Sequence, residues 1–222
     1  FSSEIILRFG NDLQKKKYLI PITKGEAISA GAFTEPDHGS DITQMATTAI
    51  LGDGEFIING TKTFITNGTI AKFAIVLSQT DPSAKPSYRG QSTILVETDR
   101  EGFDVSDVGE KMGIKLSPTT EMSFNNVKVP QENLVGELHR GFYNVLEFFD
   151  ESRVLVGAQG LGIAQGAFDR ALDYSKKRTQ FGKKLVDFQI TQHKLADLAT
   201  KIEVARLLVS KAGWNFDHKG ID

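Results

Sequence analysis

The stretch TTAILGDGEFIINGTKTFIT, residues 47–66, sets the fold class of this 222-residue chain. Its β-branched and aromatic residues predict three short strands, at Thr47–Leu51, Glu55–Asn59 and Thr61–Thr66. Gly52-Asp53-Gly54 and Asn59-Gly60 lie between these strands, and Asn, Asp and Gly tolerate the positive φ angles of tight hairpin turns. The stretch therefore predicts β-structure with local turns.

The same strand pattern continues to about residue 130. Further short runs rich in β-branched and aromatic residues predict strands at Lys72–Thr80, Gln91–Thr98, Thr120–Asn125 and Val127–Val129. Asn67-Gly68 supplies another hairpin-type turn, and Asp81–Gly90 is predicted to be a polar loop. Many short strands with local turns predict a small barrel or sandwich.

Helical periodicity replaces the strand pattern at both ends of the chain. Residues 1 to about 20 carry apolar side chains at helical spacing, and Pro21 is predicted to close that segment. Two long amphipathic helices are predicted from about Arg140 to Lys177 and from about Gln189 to Phe216, with Arg178–Phe188 as the loop between them. Two helices cannot bury both apolar faces alone, so the hairpin is expected to belong to an incomplete four-helix bundle.

The chain is thus predicted to be α+β and multidomain. A helical tail at 1–26 precedes a middle β domain at 27–135, and a partial helical domain follows at 136–222, formed by the long antiparallel hairpin. Both termini look truncated, because the sequence begins at Phe1 within a helical pattern and stops at Asp222 just after a long predicted helix. The expectation is a fragment of a longer protein.

Composition and charge exclude several classes of function. With 26 basic and 28 acidic side chains, the net charge of −2 argues against a nucleic-acid-binding surface. No stretch approaches the roughly 20 apolar residues of a membrane span. Cysteine is absent and the four histidines are scattered, so no metal site is expected. Glycines at 157, 160, 162 and 166 lie in a predicted helix, where they indicate close helix packing and not a nucleotide loop.

The segment AFTEPDHGSD, residues 32–41, is predicted to form a tight loop. Pro36 fixes φ, Gly39 permits unusual backbone angles, and Ser40 and Asp41 can bond local amides. Clustered hydroxyls and amides suit the polar edge of a bound ligand, but an ordinary capped turn explains the same residues. On this segment alone both interpretations stay open.

Three further segments change that balance: NGTKTFITNG at 59–68, FFDESR at 148–153 and RTQFGK at 178–183. Together with the loop, and with KMGI at 111–114 and VKVP at 127–130, they make the chain resemble the acyl-CoA dehydrogenase family of flavoproteins. The resemblance covers nearly the whole chain in the right order. It implies a middle β domain between helical domains, an oxidoreductase activity in fatty-acid metabolism, and FAD as the cofactor.

The resemblance also implies which residues contact FAD. The loop would contribute Phe33, Thr34, Gly39 and Ser40, and the segment packed on the flavin would contribute Phe64, Ile65 and Thr66. Tryptophan is common in the family where this chain has Phe64, and Phe keeps the stacking surface but loses the indole donor. Residues that reach FAD across a subunit interface would be Arg178, Gln180 and Phe181, which implies a homodimer or homotetramer.

The substrate implied by the resemblance is an acyl-CoA thioester, which the family desaturates between the α and β carbons before passing electrons to an electron-transfer flavoprotein. Its contacts would be Ser40, Phe149, Asp150, Ser152 and Arg153. A surface ion pair between Asp150 and Arg153 is the plainer interpretation of those two residues.

The resemblance leaves the catalytic base unassigned. In most members the glutamate comes from a helix that would follow Asp222, and in others it immediately precedes the arginine that matches Arg153, where this chain has Ser152. Glu151 is a weak substitute, because one residue along a helix turns the side chain by about 100°. We therefore expect little or no turnover from this chain alone.

Two alternatives to the dehydrogenase stay open at this point. One is a non-catalytic oligomerisation or binding module on the same scaffold, and the other is a flavin oxidase or monooxygenase relative. The compartment is expected to be the cytoplasm of a prokaryote, with the mitochondrial matrix as the alternative.

Overall fold

The computed structural model describes residues 2–219 as two compact units that divide between Phe148 and Phe149. The first unit contains short helices and a sheet, and the second contains two long helices. This α+β architecture confirms the predicted fold class. The domain boundaries at 26/27 and 135/136 stay predictions, and their outer ends, Phe1 and residues 220–222, lie outside the described residues.

Eight strands of the first unit form one mixed sheet with the order β6-β7-β3-β2-β4-β5-β8, in which β1 pairs with β4. The strands are β1 Ser29–Ala32, β2 Thr48–Gly52, β3 Glu55–Thr66, β4 Phe73–Gln79, β5 Gln91–Glu97, β6 Phe103–Asp107, β7 Thr119–Pro130 and β8 Leu134–Val135. Alternate side chains of β3 and β7 join β4 and β5 in a core that includes Phe56, Ile58, Val76, Ile94 and Met122. Strand periodicity thus shows in β3 and β7, whereas β4 and β5 are buried along nearly their whole length.

The two hairpin-turn predictions inside residues 47–66 have opposite outcomes. Asp53 and Gly54 form a two-residue turn with φ angles of 52° and 80° between the paired β2 and β3, as predicted. The prediction of a turn at Asn59-Gly60 is wrong, because β3 continues through these residues and Gly60 pairs with Phe124. Gly60 lies under Thr47, whose Cα would be 2.6 Å from an added Cβ, so this glycine serves a close backbone approach.

Several boundaries also differ from the sequence prediction. Thr120–Asn125 and Val127–Val129 belong to one strand, β7, with a register irregularity where Asn126 takes a φ of 53°. The short strands β1, β6 and β8 were not predicted: β1 and β8 are too short to show alternation, and the alternation of Phe103 and Val105 with polar residues in β6 was overlooked. Pro21 does not close the first helical segment but occupies the first turn of a helix that ends at Thr23, where proline needs no hydrogen-bonding amide.

The N-terminal segment consists of α1 Glu4–Phe9, α2 Asp12–Gln14, a π-helical turn at Lys15–Leu19 and α3 Ile20–Thr23. It attaches to the sheet through a polar cluster around Glu97 at the end of β5. One carboxylate oxygen accepts bonds from Lys17 Nζ at 2.7 Å and Tyr18 Oη at 2.5 Å, and the other accepts from Arg100 Nε at 2.6 Å and from Asn133. Burial alone would raise the pKa of Glu97, but these donors lower it to about 2.

Unit two is an antiparallel helical hairpin, as predicted. Helix α4, Gly141–Lys177, begins in the first unit, and α5 spans Gln189–Lys219. Arg206 donates to Gln165 Oε1 at 2.5 Å between the helices, and an added Cβ at Gly157 would lie 3.5 Å from Val209. Helix packing explains Gly157 only, because no atom in the described residues lies within 4 Å of a Cβ added at Gly160, Gly162 or Gly166.

The hairpin leaves an apolar groove of about 470 Å³ between α4 and α5, lined by Leu161, Ala164, Phe168, Leu198, Ile202 and Ala205. Leu198 and Leu208 of α5 are 46% and 62% exposed. The connection predicted as a loop, Arg178–Phe188, also contains a two-stranded ribbon, β9 Thr179–Gln180 and β10 Lys183–Lys184. Among residues 2–219, no helix is both long and apolar enough to cross a membrane.

The Glu97 cluster gives a pH-dependent contribution to stability. Because the folded pKa lies near 2, the contribution is complete above the ordinary carboxyl pKa and is lost as the pH falls from about 4.5 towards 2. We expect Glu97→Gln to lower the free energy of unfolding by about 2–3 kcal/mol at pH 7. Urea unfolding at several pH values should show the difference from wild type shrinking below pH 4.5.

Exposed Glu101 provides the matched control for this measurement. Glu101→Gln should leave the free energy of unfolding within about 0.5 kcal/mol of wild type at each pH. A Glu97→Gln deficit that stays constant between pH 7 and pH 2 would contradict the assignment of a depressed carboxyl pKa.

Candidate functional site

The predicted ligand loop follows directly from β1. From residue 33 to residue 47 the chain has no regular secondary structure, although it forms a compact turn in which the amides and carbonyls of Glu35 and His38 bond reciprocally at 2.8 and 3.2 Å. Asp41 Oδ1 accepts from the amide of Thr43 at 2.9 Å, as its predicted capping role requires. Gly39 and Ser40 are exposed beyond this turn, and among the described residues other than its chain neighbours a Cβ added at Gly39 would meet only Thr34 Cγ2, at 3.9 Å. This tip of the loop is therefore open to a ligand.

The second candidate segment lies at the end of β3, where a β-bulge turns a phenyl ring outwards. Lys62 pairs with Met122 and Ile65 with Thr120, so β3 has one more residue than β7 between these pairs. Phe64 lies in the bulge with φ 56° and is 68% exposed. A left-handed conformation is uncommon for a bulky residue and occurs where the surroundings hold it. The bulge thus presents the aromatic face of Phe64 to solvent.

Backbone contacts join the loop to the bulge. The amide of Thr63 donates to the carbonyl of Thr34 at 2.9 Å, so the chain entering the loop lies beside the residue that precedes Phe64. The structure therefore brings together the two cofactor segments that the sequence identified in this unit, Thr34–Ser40 and Phe64–Thr66.

A buried ion pair reinforces this junction. Lys62 Nζ lies 2.8 Å from Glu35 Oε1, and the two residues are 0% and 3% exposed. Glu35 also accepts from the amides of Ala46 at 2.7 Å and Thr47 at 2.9 Å. One carboxylate thus binds both ends of the loop and the strand that carries the bulge.

The charges of this pair depend on each other. Burial would raise the pKa of Glu35, but the Lys62 ammonium and the amide donors outweigh burial and hold the pKa of the carboxyl below its usual value. Burial lowers the pKa of Lys62 to about 8, and the Glu35 carboxylate opposes that shift. An isolated charge in such an environment is costly, so each residue lowers the free-energy cost of burying the charge of the other.

A third segment supports the bulge from the β7 side. Thr120 Oγ1 donates to the carbonyl of Ile65 at 3.0 Å, and the amide of Asn67 donates to the carbonyl of Pro118 at 3.0 Å. Lys111 Nζ, in the predicted KMGI motif, donates to Ser117 O and to Thr119 Oγ1. A Cβ at Gly68 would lie 1.9 Å from Thr120 Oγ1, which explains the glycine after Asn67.

The predicted cofactor residues of this unit differ in what they expose. Phe64, Thr66, Gly39 and Ser40 are exposed, and Thr34 is half-buried. Phe33 and Ile65 are 7% and 2% exposed, Phe33 packs against Phe148 with ring centroids 6.0 Å apart, and Ile65 belongs to the core. Contact of Phe33 or Ile65 with a ligand would therefore involve the backbone.

In unit two, the predicted substrate residues lie on α4. Asp150 and Arg153 form an ion pair with each other at i, i+3, and their side chains are 41% and 68% exposed. Ser152 is buried and its hydroxyl donates to the carbonyl of Phe149 at 3.0 Å. Glu151, the weak candidate base, is half-buried. These contacts leave the ends of Asp150 and Arg153 accessible, whereas Ser152 Oγ is bonded to its own helix.

The remaining predicted cofactor residues lie on the β9–β10 ribbon. Its two-residue turn is Phe181-Gly182, with φ angles of 51° and 71°, and Phe181 is 95% exposed. Arg178 and Gln180 are exposed on the same ribbon. The ribbon therefore presents a ring, an amide and a guanidinium together, which suits a ligand with an aromatic part and an anionic part.

Helix α4 separates the two groups of unit-two residues. Arg153 and Arg178 are 25 residues apart, and α4 is continuous from Arg153 to Lys177. At 1.5 Å per residue the two positions lie roughly 38 Å apart. Within one chain, the ribbon and the Phe149–Arg153 group are thus far from each other.

Sequence reasoning missed the Lys62–Glu35 pair. A signal was present, because Phe56, Ile58 and Lys62 share the even positions of β3, so Lys62 falls on the face that buries the other two. A lysine at such a position implies a buried acid as its partner. Among residues 2–219, no group of three or more His, Cys, Asp or Glu side chains could hold a metal ion.

Comparison with known proteins identifies the family. Residues 30–127 match the family model described as "Acyl-CoA dehydrogenase, middle domain", and residues 139–222 match "Acyl-CoA dehydrogenase, C-terminal domain". This chain belongs to the acyl-CoA dehydrogenase family.

Individual relatives give the same result. The short-chain specific acyl-CoA dehydrogenase of Clostridium acetobutylicum is 40% identical over 96% of this chain and 55% of its own length. The caffeyl-CoA reductase-Etf complex subunit CarC of Acetobacterium woodii is 41% identical over 96% of this chain and 56% of its own length. The crystal structure of acyl-CoA dehydrogenase from Geobacillus kaustophilus aligns with a TM-score of 0.93 at 39% identity, over 96% of this chain and 56% of its own. The chain spans about half the length of the curated relatives it matches.

The left-handed backbone at Phe64 can be tested separately from its ring. Phe64→Ala and Phe64→Gly both remove the exposed ring, but only glycine adopts φ 56° without strain. We expect Phe64→Gly to be more stable than Phe64→Ala by about 1 kcal/mol, measured by urea unfolding. At Leu13, an exposed helical position, the same pair of substitutions should give the opposite order, and a lower stability for Phe64→Gly would contradict the strained bulge.

Proposed function

We propose that this chain provides the FAD and acyl-CoA site of an enzyme that desaturates acyl-CoA thioesters between the α and β carbons. The observation that carries the proposal is the junction between the Thr34–Ser40 loop and the Phe64–Thr66 bulge. The two segments joined there expose an aromatic ring, two hydroxyls and a glycine without a side chain.

The exposed residues fit FAD chemically. Phe64 supplies an apolar face for a planar ring system, Thr66 and Ser40 supply hydroxyls for its polar edge, and Gly39 allows close approach of the backbone. When bound, FAD would supply the acceptor for the hydride that leaves the β carbon. The protein's part is to hold the flavin ring and thioester against each other and to exclude water.

The α4 residues fit the acyl-CoA part of the proposal. The half-buried Phe149 and the exposed ends of Asp150 and Arg153 can contact the thioester arm and the polar parts of CoA. Arg153 suits a phosphate or an adenine ring, since its planar fork donates in parallel and stacks. Ser40 would contribute from the loop. The ion pair with Asp150 would preset the orientation of Arg153.

The ribbon residues support a proposal of subunit sharing. Arg178, Gln180 and Phe181 are exposed together, and α4 holds them roughly 38 Å from Arg153. We infer that they complete the FAD site of another subunit in a homodimer or homotetramer. An exposed Phe181 ring in a left-handed turn is a costly feature for a monomer surface, which favours a use at an interface.

The electron partner is proposed from the relatives. CarC belongs by name to a reductase–Etf complex, so we propose an electron-transfer flavoprotein as the redox partner of this protein. The bacterial relatives support a cytoplasmic location in a prokaryote. The same half-reaction run backwards would reduce an enoyl-CoA, and the direction depends on the potentials of the partners.

A proton acceptor for the α carbon is not assigned to any described residue. Ser152 cannot serve, because it has no carboxylate and its hydroxyl is bonded to the Phe149 carbonyl. Glu151 is half-buried on the neighbouring helical position and stays a weak candidate. We therefore expect this chain to bind both ligands without efficient proton abstraction.

The first experiment is a visible absorption spectrum of the purified protein after incubation with FAD and removal of free cofactor. We expect a retained flavin band that Phe64→Ala weakens, because it removes the aromatic face, whereas Leu13→Ala at an exposed helical position leaves it unchanged. Addition of butyryl-CoA should shift the band without bleaching in this chain, and should bleach it in the complete gene product.

The other outcomes are informative. A folded complete gene product that retains no flavin would contradict the proposal and favour a non-catalytic binding module. Bleaching by this chain would mean that a base is present, and Glu151→Gln is then the variant that should abolish it. Rapid oxygen consumption by the complete gene product would replace the electron-transfer flavoprotein by oxygen as the acceptor.

A further inference from the structure

The loop between β1 and β2 has to be held in place by contacts outside regular secondary structure. Its 15 residues, 33–47, contain no helix or strand, yet they include all the loop residues proposed to contact FAD. A ligand site on irregular backbone is exact only where packing and hydrogen bonds fix that backbone. Side-chain contacts of Glu35 and Lys62 fix this loop.

Glu35 fixes both ends of the loop with one carboxylate. Oε2 accepts from the amide of Ala46 at 2.7 Å, and Oε1 accepts from the amide of Thr47 at 2.9 Å and from Lys62 Nζ at 2.8 Å. Residues 35 and 46–47 are thereby held together, which closes the loop at its base. The exposed tip at Gly39 and Ser40 lies between these two fixed points.

Lys62 fixes the loop to the strand that carries the other half of the site. Besides Glu35, its ammonium contacts the carbonyl of Phe33 at 3.2 Å and the sulfur of Met45 at 3.2 Å. These contacts reach residues near the beginning of the loop and near its end. Lys62 is also the last paired residue of β3 before the bulge, two residues before Phe64.

Stability alone does not explain an ion pair in this position. Replacing a buried ion pair by apolar side chains of similar volume is often neutral or stabilising, because desolvation offsets the attraction. An apolar pair would fill the space but could not hold the Ala46 and Thr47 amides or the Phe33 carbonyl. What the charges add is a fixed geometry between loop and strand.

We propose that Glu35 and Lys62 are positioning residues for the cofactor site, holding the Thr34–Ser40 loop and the Phe64 bulge in the relative position that binds the isoalloxazine ring. Neither residue is exposed, so neither contacts the ligand directly. The inference rests on the proposed function, since it names what two residues do for that FAD site. It assigns a role to Glu35 and Lys62 that is separate from the contacts of Thr34, Gly39 and Ser40.

The decisive variant is the double substitution Glu35→Gln/Lys62→Met in the complete gene product. Glutamine keeps the shape of Glu35 and one acceptor oxygen, which serves the amide of Ala46 or that of Thr47 but not both, and methionine keeps the length of Lys62 without its charge. Because both charges leave together, we expect a melting temperature near that of wild type. FAD affinity, measured by quenching of flavin fluorescence, should fall roughly tenfold to a hundredfold, as when a supporting partner of a bound metal is removed.

Glu97→Gln provides the control for stability. It weakens a different, partly buried polar cluster at the end of β5 and should bind FAD like wild type at temperatures where it is folded. Hydrogen exchange measured without FAD gives a second readout. In the double variant, amides 34–47 and 63–66 should exchange faster, while amides of β4 and β5 keep their protection.

Each outcome separates the two proposals. If wild type binds FAD and the double variant binds it equally well with unchanged loop exchange, the positioning role is overturned. If wild type binds no FAD, the proposed function fails, and the exchange of residues 34–47 and 63–66 still decides whether the pair fixes the loop. If the double variant does not fold, Glu35→Gln alone is compared, and affinity and loop exchange equal to wild type overturn the proposal.

Discussion

The burial of Lys62 against Glu35 is the constraint on which the rest of the first unit depends. Neither charge is stable in the interior without the other, so the loop that contains Glu35 and the strand that contains Lys62 must fold together. Once they do, Thr63 lies beside Thr34, and the bulge that exposes Phe64 has a fixed position. The open surface thus follows from a contact inside the core.

The two exposed aromatic residues of the candidate site share one backbone feature. Phe64 and Phe181 both have φ between 50° and 60°, a region that bulky side chains avoid, and both rings are mostly exposed. A bulge fixes the first and a two-residue turn fixes the second, so unrelated local structures give the same result. Strain and exposure together are costly for folding, and the binding roles that we propose for both rings would account for that cost.

The sequence predicted the elements with strong periodicity and failed where tertiary contacts decide. Helices α4 and α5 and strands β4 and β5 were placed within a few residues, because their apolar patterns are long or dense. Asn59-Gly60 has the composition of a hairpin turn, but the Thr47 backbone lies against Gly60 and keeps β3 extended. The loop and bulge residues came from the family resemblance, whereas Lys62 was overlooked although its even position on β3 implied burial.

Helix α4 limits how the candidate residues can be combined. A straight helix keeps Arg153 and Arg178 roughly 38 Å apart whatever the rest of the protein does. If both groups act on flavin and acyl-CoA sites of the proposed kind, each chain must serve two such sites, one through Phe149–Arg153 and one through the ribbon. Cofactor binding would then couple to subunit assembly, since loss of the partner's ribbon would leave each site without its arginine and its second aromatic ring.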